Sequence, residues 1–178
     1  MHEGVELPEG HEHSDYPYTI PVSVTMSILA VLVAGATLLG HRAHTEELLL
    51  QSQATDKWSY YQAKNIRFHE MQVVVDLLDT LMPQDKEKAK AARDKYAKEV
   101  KRYESDKSEI GDEAKKLEEE RDLVSHRADR FDGGEALLEV GLVICSVTLL
   151  TKRRGFWFAG MLIGAAGVIV ALTGLFLH

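Results

Sequence analysis

The sequence predicts an all-α protein with three transmembrane helices and a long antiparallel coiled-coil hairpin between the first and second. Three observations carry this. Apolar blocks almost free of charge occupy Ile20–Leu39, Ala136–Leu150 and Phe156–Leu177. The stretch His41–Asp132 holds 18 of the 21 Lys and Arg and 21 of the 28 Asp and Glu. Within it, apolar residues recur every seven positions. A globular domain in water mixes apolar and charged residues, whereas a membrane protein with an aqueous helical part separates them.

Residues 1–19 contain five acids, no Lys or Arg, and Pro8, Gly10 and Pro17. Such a composition buries little apolar surface and predicts a flexible acidic tail. It also lacks the basic start of a secretory signal, so the apolar block after it reads as a retained anchor. His2, His11 and His13 in this tail form a weak metal motif, because a flexible segment loses ordering entropy on binding.

Residues 20–40 have the length needed to cross a hydrocarbon core of about 30 Å. Tyr16 and Tyr18 suit the interface at its start, and Ala30, Ala34, Gly35 and Ala36 allow close helix approach. Residues 41–132 then predict an extramembrane helical hairpin with its turn near 83–85, because Pro83 disfavours helix at the residue before it. Each leg reaches about 60 Å at 1.5 Å per residue.

In the second leg Tyr96, Tyr103, Ile110, Leu117, Val124 and Phe131 repeat every seven residues, with Val100, Lys107, Ala114, Arg121 and Ala128 as companions. The first leg repeats Ala54, Tyr61, Phe68, Val75 and Met82, with Gln51, Trp58, Asn65, Gln72 and Asp79 beside them. Counting outward from Pro83 pairs Phe68 with Val100, Trp58 with Ile110, and Glu47 with Arg121. The first leg broadens near its tip into an apolar face including Met71, Val74, Val75, Leu78 and Leu81, and a face of that kind marks an interface.

Residues 133–151 predict the second membrane helix, 152–155 (Lys-Arg-Arg-Gly) a basic turn, and 156–177 the third. Phe156, Trp157 and Phe158 suit an interfacial belt, and Gly160, Gly164 and Gly167 suit helix packing. Glu135 and Glu139 stand one turn apart at the entrance of the second block. An acid at membrane depth is costly and often marks a pathway or site. The simpler reading places both at the water boundary or pairs them with Arg42 or a histidine. His41, His44, His126 and Asp129 gather at the membrane end of the hairpin; ordinary interfacial polarity outweighs metal binding there. Cys145, alone in an apolar block, reads as a packing residue. The lysines of 86–101 alternate with acids and predict a solvated face rather than a nucleic-acid surface.

The run Asp56-Lys57-Trp58-Ser59-Tyr60-Tyr61-Gln62-Ala63-Lys64-Asn65-Ile66 resembles an uncharacterised bacterial family of small membrane proteins, a domain-of-unknown-function family. The specific part is Asp-Lys-Trp-x-Tyr-Tyr-Gln-Ala-Lys, and the resemblance covers most of the chain. It implies a bacterial membrane protein and no activity, cofactor or catalytic residue. From the residues alone, Trp58 and Tyr61 belong to the seam with Tyr60 outside it, and these aromatic residues suit a partner helix as well as the hairpin's own core.

The sequence carries no nucleophile elbow, phosphate loop, zinc-protease helix or dinucleotide turn. The expectation is therefore a non-enzymatic membrane-anchored structural or interaction protein without cofactor or nucleic-acid partner. The expected partners are membrane lipid and further copies of the chain as a homo-oligomer, with the hairpin also open to another membrane protein complex. The alternative is a small ion-conducting or transport-accessory oligomer using Glu139. The expected location is the bacterial inner (plasma) membrane as a multi-pass protein, with the basic turn cytoplasmic and the hairpin extracytoplasmic, because short basic loops stay inside. Arg42, Arg121, Arg127 and Arg130 at the hairpin's membrane end argue the other way.

Overall fold

The structure, a computed structural model, describes residues 17–81 and 86–177. The predicted flexible tail, all but its last residues, and the predicted turn near 83–85 lie outside these. The described residues are helical: α1 Thr19–Leu81, α2 Lys86–Thr151 and α3 Arg154–Leu175. Each helix contains a stretch long and apolar enough to cross a membrane. Neither α1 nor α2 breaks where its apolar part meets its charged part, and Gly133 and Gly134 at that point of α2 stay helical.

The chain divides into two compact units, and α1 and α2 contribute to both. The first unit contains the apolar parts of α1 and α2 together with most of α3. Its core joins Leu29, Ala36, Leu138 and Cys145, flanked by Met26, Val33, Leu142, Trp157 and Val168. The α2–α3 contact is a close crossing of glycines. A methyl group on Gly141 would lie 2.8 Å from Gly160 O and 2.9 Å from Gly164 N. One on Gly134 would lie 2.7 Å from the Ala171 Cβ. With no side chain between them, the two backbones pack directly, a close approach that small residues permit. Gly164 also makes room for α1, since a methyl there would meet the Leu29 side chain.

A two-residue link, Lys152-Arg153, joins α2 to α3. Lys152 adopts φ 53°, and its N–H bonds to Thr148 O at 2.8 Å. A left-handed residue after the last turn is a common way to end a helix. The same end is closed by Trp157, whose indole N–H donates to Thr25 Oγ1 at 3.1 Å, and by Arg154, stacked 3.6 Å over the Tyr18 ring.

The second unit is the charged hairpin, 38–130 with the chain's last residues. Its two helices pack along a seam with Ala43, Ala54, Ile110, Ala114, Val124 and Ala128 buried. In α2 the inward positions are the two seven-residue series read from the sequence. In α1 the second series differs: near the tip Met71 and Leu78 turn inward, while Gln72 and Asp79 are exposed. The inward positions run 65, 68, 71, 75 and 78, so two successive steps of three move the seam one position earlier. The polar companion predicted near the tip is thus replaced by its apolar neighbour.

The pairing also differs from a count about Pro83. Lys64 meets Asp106 at 2.7 Å, Asp79 meets Arg93 at 2.8 Å, and Lys57 meets Glu113. Arg121 binds Gln51 at 2.5 Å, while Glu47 pairs with His44 on its own helix. The legs are offset by one helical turn from the symmetric count. Cross-helix charge pairs and seam packing select the register.

Candidate functional site

The hairpin motif 56–66 forms the most elaborately bonded stretch of the second unit. Trp58 and Tyr61, a little under one turn apart, stack edge to face at 5.4 Å. The Trp58 indole N–H donates to Glu118 Oε1 at 2.8 Å. Tyr61 lies against Gly111, where a methyl would come within 3.3 Å of the ring. A mid-helix glycine costs about 1 kcal/mol relative to alanine, and here it makes room for an aromatic ring. Lys64 donates to Asp106 and lies near the rings of Tyr60 and Tyr103 at 5.4 and 5.3 Å. The Asp106 carboxylate beside Lys64 holds its ammonium above the ordinary lysine value of 10.5. The motif therefore acts first between the two legs. Tyr60 is the aromatic residue that also faces outward.

The other residues expected at an interface divide in two. Met71, Val74 and Leu78 are half-buried against the opposite leg, and Leu81 is exposed. Beyond Tyr60, the exposed large apolar residues of α1 are instead Ile66, Val73, Leu77 and Leu81, spaced seven, four and four apart along one outer face. Sequence reasoning missed Ile66, Val73 and Leu77 because the broad apolar face near the tip does not announce which half the partner leg covers.

In the first unit, Glu135 accepts a 2.6 Å hydrogen bond from the Thr37 hydroxyl. Glu139 is exposed and makes no hydrogen bond or ion pair with any described residue. Gly160 and Gly167 line the α2–α3 crossing and Gly164 faces Leu29. Their partners Gly134 and Gly141 were not singled out from sequence. The available signal was the matched spacing: seven residues separate Gly134 from Gly141, and seven separate Gly160 from Gly167.

His126 approaches Asp129 on its own helix at 4.0 Å, and His44 pairs with Glu47 at 3.3 Å. Among the described residues, no group of three or more His, Cys, Asp or Glu is placed to hold a metal ion. Cys145 is buried in the apolar core.

One family, described as a domain of unknown function (DUF4337), matches residues 18–177. No curated protein and no solved structure matches the chain.

Proposed function

We propose that this chain, which belongs to the DUF4337 family, is a non-enzymatic membrane protein whose hairpin presents an apolar contact surface to another copy or to a partner protein. The apolar parts of the three helices anchor it in the bilayer, and the charged legs stay in water.

The observation that carries this reading is the outer face of α1 in the hairpin. Ile66, Val73, Leu77 and Leu81 are 59%, 56%, 49% and 69% exposed and lie on one side of a charge-rich leg, apart from the exposed Leu48 and Leu49 nearer its apolar stretch. Aligned apolar side chains rimmed by charged ones suit a protein contact. The legs are already tied together by cross-helix ion pairs, so the face is not needed to close the hairpin.

The test is a photo-crosslinking residue at Val73 in the full chain, in native membranes, with the same residue at Ser108 as the control. The reading expects a discrete adduct from Val73, at twice the chain mass for self-association or at the mass of one defined partner. Adducts no more abundant from Val73 than from Ser108 would overturn it.

A further inference from the structure

Glu139 sits in the apolar unit at a depth unsuited to a carboxyl group. Two residues beyond it, Gly141 abuts Gly164, which stands midway along α3. One turn before it, Glu135 is bonded to Thr37, near the end of the apolar stretch of α1. Four residues separate the two acids, so Glu139 lies about 6 Å deeper at 1.5 Å per residue. That is well inside a hydrocarbon layer about 30 Å thick. Acids at such depth normally turn toward a bundle interior or a wet cavity. Glu139 turns outward, so a single copy leaves it facing lipid.

The outer faces of the unit are not alike. α3 exposes Phe158, Leu162 and Ile169, and one side of α1 exposes Ile20, Val24, Ile28 and Val31. These bulky apolar side chains match acyl chains. The rim of α1 on the Thr37 side differs. Ala34, Ala30, Ser27 and Ser23 continue the line of Thr37 at steps of three and four residues, and all four are exposed. They border the edge of α2 that carries Glu135 and Glu139, because Thr37 and Glu135 bridge the two helices there. Side chains this small let another helix come close.

We propose that this α1–α2 face is covered in the bilayer by the same face of a second copy, with Glu139 hydrogen-bonded across the contact. A two-fold axis along the membrane normal brings equal depths together. The group it sets at the level of Glu139 is therefore the second copy's Glu139. Two carboxyl groups that share a proton offer each other a donor and an acceptor. Acyl chains offer neither. The proposal rests on the self-association reading above and assigns it a second contact, within the membrane.

The experiment uses the full chain with Cys145→Ser, in native membranes under mild oxidation. Ala34→Cys should give an intermolecular disulfide, and Leu162→Cys, on the α3 face, should not. Glu139→Leu should lower the Ala34→Cys dimer roughly fivefold, the scale of one interhelical polar contact, and Glu139→Gln should preserve it. Equal or absent crosslinking at the two positions overturns the proposal, as does an Ala34→Cys dimer indifferent to Glu139→Leu. The two contacts fail separately. A Val73 adduct lost while the Ala34→Cys dimer persists removes the hairpin reading alone. The reverse result removes the membrane contact.

Discussion

Residues with the least chemistry set the tightest constraints. Gly141 faces backbone atoms of α3 that cannot rotate away, so an added methyl must push the helices apart. Overpacking of that kind costs about 1–3 kcal/mol. Gly35 has nothing within 4 Å of the same added methyl. Gly141→Ala is therefore expected to lower the unfolding midpoint of the detergent-solubilised protein, and Gly35→Ala to leave it near wild type. Equal effects at both positions would place the glycine requirement elsewhere than at the crossing. At this scale the sequence was partly legible. Gly160, Gly164 and Gly167 read as packing residues because they interrupt an apolar run. Gly134 and Gly141 drew no reading of their own, since the α3 backbone they meet is set against them only in the packed bundle. Gly111 drew no attention because its purpose, room for the Tyr61 ring, exists only once the legs are in register.

Among the elements, helix identity and extent followed from periodicity and from Pro83, because long uninterrupted patterns leave few alternatives. Register did not follow, since a seven-residue repeat looks the same after a one-turn slip along much of each leg. What distinguishes the registers is charge matching: Lys64 with Asp106, Lys57 with Glu113, Asp79 with Arg93. The Lys64 pair makes this testable by pH. Its ammonium is held above the ordinary value of 10.5 by Asp106. The contribution is thus fully present below pH 10.5 and is lost as pH rises through the higher folded-state value. Arginine stays charged throughout that range. Wild type is expected to lose stability relative to Lys64→Arg above pH 10.5, read as the difference between their melting temperatures. A constant gap across the range would remove the Lys64–Asp106 pair as a determinant of register.

For the whole molecule, segregation of apolar from charged residues was the strongest signal, and it places two kinds of surface on one chain. Three helices carry stretches long and apolar enough to cross a membrane, and α1 and α2 continue without a break into charged legs. The stretches able to span a membrane were legible because hydropathy is a property of composition. The exposed apolar faces were not, since they are defined by what the legs and the bundle leave uncovered. The account stands on the bundle being in lipid while the hairpin is in water. The most direct measurement places single cysteines at Ser105 and Leu162 in a Cys145→Ser background. Both positions are exposed on the chain's own surface, so only the surroundings separate them. Applied to spheroplasts, a membrane-impermeant thiol reagent is expected to label Ser105→Cys. Leu162→Cys should stay unlabelled until the membrane is dissolved in denaturing detergent. Labelling of Ser105→Cys only in inverted vesicles would reverse the orientation and keep the architecture. Equal labelling of both positions in intact membranes would contradict it.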